Sequence, residues 1–144
     1  MEIPVRVVHP DATLPVYAHD GDAGCDLVAV DSCTITAGGG RAMVSTGLTV
    51  AIPEGHGGFV LPRSGLAAKH GVTCINAPGL IDAGYRGEVI IALVNLDPTH
   101  DYVVKKGDRI AQLVVLPVPF AHFTAVEELP SAKRGAGGFG SSGR

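Results

Sequence analysis

The sequence predicts an all-β fold, a sandwich, jelly roll or barrel with one short helix, and three observations carry that prediction. Short β-rich runs recur along the chain, 20 glycines and 10 prolines punctuate them, and one segment alternates in the manner of a half-buried strand. That segment is VSTGLTVAI (44–52), in which Val44, Leu48, Val50 and Ile52 share one face and Ser45, Gly47 and Thr49 the other. Further strands are expected at VRVVH (5–9), DLVAV (26–30), GFVLP (58–62), VTCIN (72–76), EVIIALVNL (88–96), YVVK (102–105) and RIAQLVVLPV (109–118). Only SGLAAKHG reads as helix, capped by Ser64 and ended by Gly71, which leaves it short of two turns.

Two of these strands, VIIALV and IAQLVVL, are apolar almost without alternation, so both of their faces are expected to be buried. Antiparallel sheets of small monomers usually leave one face in water. A partner subunit is the simplest cover, and a closed homo-oligomer is therefore expected; a larger two-sheet core is the alternative.

Composition narrows the function classes. The 144 residues suit one domain with a real core. The formal charge is −3, and the eleven Lys and Arg are spread along the chain, which argues against a nucleic acid duplex as partner. No apolar run approaches the ~18 residues that span a bilayer. The opening MEIPVRVVHP lacks the charged segment and apolar stretch of a secretory leader, so no membrane association and a cytoplasmic location are expected. Cys25, Cys33 and Cys74 form no C-x-x-C pair and the six histidines lack ligand spacing, so free thiols are expected rather than zinc.

Five stretches carry residues that could do chemistry. RGAGGFGSSG (134–143) matches G-x-G-x-x-G at Gly135, Gly137 and Gly140, but a dinucleotide-binding turn needs a strand before it, a helix after it and an acid about 20 residues on. It reads either as a disordered terminus or as an anion nest, with charge from Arg134 and hydroxyls from Ser141 and Ser142. PRSGLA (62–67) sets Arg63 and Ser64 at a helix start, where they serve an anion or act as an ordinary cap and surface charge. NAPGLIDAGYRGEV (76–89) reads as a hairpin in which Asp82 accepts a proton or merely forms the turn, and Tyr85 contacts a ligand or merely packs. In AGCDL (23–27), Asp26 is a turn residue or reaches a hard cation through water, and in GDRIAQLV (107–114) the Gln112 amide needs partners within an apolar strand.

Taken in this order, AGCDL, PRSGLA, NAPGLIDAGYRGEV, GDRIAQLV and RGAGGFGSSG resemble the five motifs of the trimeric deoxyuridine triphosphate nucleotidohydrolases (dUTPases), from Ala23 to Gly143. The resemblance implies a homotrimer with active sites where subunits meet, and hydrolysis of dUTP to dUMP and diphosphate with Mg²⁺. It implies that Asp82 is the general base for water attacking the α-phosphorus. Asp26 would hold waters of a Mg²⁺ carried mainly by the triphosphate. Arg63, Ser64, Gly65 and Gln112 would line the phosphates. Asn76 and the backbone of Gly79, Leu80 and Ile81 would read uracil, and Tyr85 would lie against the deoxyribose, refusing a 2′-hydroxyl.

The resemblance also divides the chain into a β-barrel part, 1–131, and a Gly-rich arm, 132–144. In the arm Phe139 would cover the uracil while Arg134, Gly140, Ser141 and Ser142 grip the β- and γ-phosphates. Ser142 stands where many members have threonine, which keeps the hydroxyl, and Arg144 follows the last motif directly, so no further domain is expected. The nearest rival is the related dCTP deaminase family; a trimer that binds dUTP without turnover is another.

Overall fold

The computed structural model describes residues 1–132 and Gly135. Its strands are β1 (Val5–Val7), β2 (Cys25–Val28), β3 (Cys33–Ile35), β4 (Arg41–Val50), β5 (His56–Leu61), β6 (Val72–Cys74), β7 (Gly79–Ile81), β8 (Glu88–Asn95), β9 (Tyr102–Val104) and β10 (Arg109–Pro117), with one helix, α1 (Ser64–His70), between β5 and β6. One antiparallel sheet runs β1-β4-β8-β6 and a second β2-β10-β5-β7, while β3 and β9 form a separate ribbon. Alternation in β4 sends Val44, Leu48 and Val50 inward, as expected. Leu27, Ile35, Ile91, Leu93, Val104 and Ile110, drawn from both sheets and the ribbon, join one core cluster. Each such side chain contributes about 1.5–3 kcal/mol when removed from water.

Three expectations change. The strands β3 and β7 are absent from the sequence reading because CTI and GLI are three residues each and sit among turn formers, Asp31 and Ser32 before the one and Pro78 before the other. Within one chain β8 turns Val89, Ile91 and Leu93 inward and leaves Ile90 44% exposed, and at the end of β10 Leu116 is 47% exposed, so a second face remains for a partner subunit to cover. Ser64 does not cap α1; Arg63 occupies that position without a side-chain cap bond, and Ser64 is the first helical residue. Gly71 does end the helix, at φ 65, where its N–H reaches Ala67 O at 3.1 Å.

The third change matters most for function. NAPGLIDAGYRGEV is not a hairpin, because β6 and β8 belong to the first sheet while β7 ladders with β5 in the second. Gly79, Leu80 and Ile81 pair with Val60, Phe59 and Gly58. The chain therefore crosses from one sheet to the other and back, with Asn76 in the first crossing and Asp82 and Tyr85 in the second.

At the far end of β8 a fully buried amide ties three segments together. Asn95 Nδ2 donates to Ile35 O at 3.1 Å and His100 O at 2.8 Å, and Asn95 Oδ1 accepts the Asp97 N–H at 3.0 Å. The next turn is closed by Asp97, whose carboxyl is held down at about 2 by the N–H groups of Thr99 and His100. Replacing Asn95 by leucine keeps the branched outline but adds bulk at a fully buried site and leaves the Ile35 and His100 carbonyls and the Asp97 N–H without their partner. Asn95→Leu is expected to lose about 3 kcal/mol or more, read as a lower denaturant midpoint with unchanged slope.

Candidate functional site

The motif residues of the sequence gather around two separate cavities. The first is polar, about 420 Å³, and lined among others by His19, Gly24, Asp26, Arg63, Arg109 and Gln112. Register explains the gathering: β10 lies between β2 and β5, so Gln112 faces Asp26 on one side and Leu61 on the other, and Arg63 follows two residues beyond Leu61. Pairing of the strands thus brings three motifs, distant in sequence, to one wall.

Charge in this cavity is organised around one buried carboxylate. The Asp26 side chain is only 8% exposed, and Arg109 Nη1 donates to Asp26 Oδ2 at 3.1 Å. Arg63 Nε lies 3.1 Å from Asp26 Oδ1, but its N–H is not aimed at that oxygen, so the contact is an ion pair rather than a hydrogen bond. Arg63 Nη1 instead donates to Arg109 O at 3.1 Å. Asp22 lines the cavity as well, so the two guanidinium groups are matched by two carboxylates; what suits a polyanion is the set of N–H donors that Arg63, Arg109 and the Gln112 amide bring to one wall. Arg109 was not singled out from the sequence, although it stands in GDRIAQLV; its approach to Asp26 follows from the β2–β10 register, which sequence alone does not disclose.

The second cavity is about 220 Å³ and is lined by Asn76, Gly79, Leu80, Ile81, Tyr85 and Glu88, with Val60 and β8 residues as its floor. These include every residue expected to contact base and sugar except Phe139, which lies outside the described residues. Asn76 and the Gly79–Ile81 backbone arrive on the first crossing, and Tyr85 on the second. The Tyr85 hydroxyl donates to Glu88 O at 2.8 Å, and Arg86 Nη1 donates to Ala83 O at 2.6 Å and to Tyr85 O at 2.7 Å. Arg86 thereby closes the turn that holds Asp82.

Several expected residues stand apart. Asp82 is exposed and lines neither cavity, although its carbonyl accepts the Tyr85 N–H at 3.0 Å. Ser64 and Gly65 are exposed beside Arg63 and also line neither. Arg134, Phe139, Gly140, Ser141 and Ser142 lie outside the described residues. Burial raises all three thiols, with Cys74 pushed up to about 11, so none is a ready thiolate nucleophile.

A divalent cation fits only in part. No group of three His, Cys, Asp or Glu side chains converges among the described residues, so the donors for a resident ion are missing there. Asp26 Oδ1 accepts no hydrogen bond, but it is shut off from solvent with Arg63 Nε 3.1 Å away, so a water on a Mg²⁺ that arrives with a polyphosphate would reach it only once Arg63 turns aside.

Comparison with known proteins gives one answer along the whole chain. The family model described as dUTPase matches residues 10–143. The deoxyuridine 5′-triphosphate nucleotidohydrolase of Thermobifida fusca is 52% identical over 143 residues, covering 99% of this chain and 79% of that protein. Its counterpart in Leifsonia xyli is 55% identical over 130 residues, covering 90% and 85%. The dUTPase of Staphylococcus bacteriophage 80alpha, solved with dUPNHPP, is 30% identical with a TM-score of 0.90 and coverage of 99% of both chains. A mutant dUTPase of phage phi11 of S. aureus, from a structure concerned with coordination of a structural Mg(II) ion, is 27% identical with a TM-score of 0.80, covering 91% and 100%. With the family match spanning all five motifs, and relatives about half identical over nearly the full length, the chain belongs to the dUTPase family.

Proposed function

We propose that this chain hydrolyses dUTP to dUMP and diphosphate, and that it does so as a homotrimer with sites shared between subunits. The observation that carries the reading is the division of labour between the cavities: a polar one with guanidinium and amide donors for the triphosphate, and a smaller one ringed by Asn76, Gly79, Leu80, Ile81 and Tyr85 for the base and sugar. The two have no lining residue in common, which supports a site assembled from more than one subunit. Exposed apolar side chains also call for cover, with Leu80 at 62%, Ile90 at 44% and Phe120 at 90% exposure.

In this reading Asp82 accepts the proton of a water as its oxygen bonds to the α-phosphorus, while the bond to the bridging oxygen breaks and diphosphate leaves. Arg63 and Gln112, with Ser64 and Gly65 beside them, hold the phosphates in line, and Arg109 adds charge from the same wall. Mg²⁺ bound to the triphosphate would neutralise charge growing on the leaving group, with Asp26 holding its waters. Asn76 and the backbone of Gly79 to Ile81 present fixed donors and acceptors to uracil, which the reversed edge of cytosine does not match. A thymine methyl has no room against the same backbone, and Tyr85 refuses a 2′-hydroxyl.

Residues 1–131 would form the barrel and 132–144 an arm. Phe139 would cover the base and Arg134, Gly140, Ser141 and Ser142 would close on the β- and γ-phosphates, excluding bulk water. The product dUMP feeds thymidylate synthesis and removal of dUTP keeps uracil out of DNA, which suits a cytoplasmic enzyme.

Three measurements check the reading. Diphosphate release is expected from dUTP with Mg²⁺ and at far lower rates from dTTP, dCTP and UTP; deamination of dCTP would point to the related deaminases, and binding of dUTP without release to a non-catalytic trimer. Asp82→Asn is expected to bind dUTP nearly as well while turnover falls by about 10²- to 10⁴-fold. A chain cut after Ser131 is expected to fold and trimerise but to hydrolyse poorly; full activity in that chain removes the arm from the mechanism.

A further inference from the structure

The turn that carries Tyr85 is held from a strand that the reaction does not touch. Strand β4 leaves regular pairing as it passes the start of β8: Ser45 faces Ile90, the ladder resumes with Thr49 opposite Glu88, and Thr46, Gly47 and Leu48 are left facing Val89 alone. Gly47 adopts φ 67 there, and a Cβ on it would lie 2.6 Å from His9 Cβ and 2.8 Å from Ala12 Cβ. On that side the bulge is pinned by the Val8 N–H, which donates to Gly47 O at 2.8 Å. On the other side the Gly47 N–H donates to Glu88 Oε1 at 2.8 Å, and the buried Thr46 hydroxyl donates to Val89 O at 2.6 Å.

The backbone carbonyl of the same Glu88 accepts the Tyr85 hydroxyl at 2.8 Å. This folds the phenol back over Gly87, where a Cβ would meet Tyr85 Oη at 2.5 Å. Glu88 and Tyr85 both line the smaller cavity. One residue is thus gripped by the bulge through its side chain and grips the tyrosine through its main chain.

We infer that Glu88 is a positioning residue for sugar selection. Its carboxylate, clamped on the Gly47 N–H, fixes where β8 begins and so where the carbonyl that receives the Tyr85 hydroxyl lies. Without the clamp the tyrosine regains rotamer freedom, and a 2′-hydroxyl meets a wall that yields. The inference rests on the dUTP-hydrolysing reading, and it adds to that reading the device that keeps the sugar wall stiff.

The test uses the full chain as wild type, Glu88→Ala, Glu88→Gln and Thr46→Val, with kcat/KM measured for dUTP and for UTP. In Glu88→Ala the dUTP-to-UTP ratio is expected to fall about ten-fold, chiefly through a lower KM for UTP, a size typical of steric discrimination by one wall. Glu88→Gln retains an oxygen that accepts from Gly47 and is expected to keep the wild-type ratio. Thr46→Val removes a neighbouring bulge bond that does not lead to Tyr85, so it is expected to lower the melting temperature and leave the ratio alone.

A wild-type ratio in Glu88→Ala, or an equal shift in Thr46→Val, overturns the inference. Should Glu88→Ala not fold, Tyr85→Phe breaks the same linkage at an exposed hydroxyl, and an unchanged ratio there overturns it equally. Calorimetric binding of dUMP against UMP scores the clamp independently of turnover: loss of the preference for dUMP in Glu88→Ala supports it and an unchanged preference overturns it. A wild-type chain that releases no diphosphate from dUTP defeats the hydrolase reading alone.

Discussion

The ladder between β7 and β5 is the constraint on which the rest of the site depends. Had Gly79–Ile81 stayed within a simple hairpin between β6 and β8, the segment proposed to read the base and the turn after it would have formed one loop. Pairing with Gly58–Val60 instead anchors the segment in the second sheet, while β6 and β8 hold its two ends in the first. The backbone of Gly79 to Ile81 is then held along one edge by its ladder with β5. Rigid donors and acceptors discriminate between bases because they cannot turn to suit a wrong partner. The buried core beneath the crossing, with Ile81 at 7% exposure and Ile91 at 1%, supplies the stiffness.

The phosphate wall rests on a different balance. Taking the Asp26 carboxylate out of water is unfavourable, and two guanidinium groups at 3.1 Å compensate for it. The same contacts hold Arg63 and Arg109 in place before any ligand arrives, so part of the ordering needed to meet a polyanion is already done. A lone surface arginine would have to be immobilised by the ligand itself.

Much of this was legible in the sequence, for physical reasons that differ by element. Residues 44–52 announced β4 because a ten-residue strand against one core must alternate, and Gly71 announced the helix end because a positive φ favours glycine. The ordered motifs placed Asp26, Arg63, Gln112, Asn76 and Tyr85 at the two cavities. What stayed hidden depends on register and on which sheet a strand joins. Arg109 reaches Asp26 only because β10 pairs with β2, and Glu88 reaches Gly47 only because β4 bulges opposite Val89. Neither contact leaves a periodic trace. Ser64 illustrates the opposite error: its type suits a cap, yet the helix begins at Ser64 itself, so a good local preference was overruled by where the chain leaves β5.

That the two cavities have no lining residue in common has an energetic consequence. Substitutions in the smaller cavity and in the polar one change different lining residues, and groups that share no partner contribute to binding free energy more nearly additively than neighbours do. On the proposed reading, choice of nucleobase and affinity for the polyphosphate can then vary largely separately. Coupling returns through whatever spans both, such as the stretch from Val60 in the smaller cavity to Arg63 in the polar one.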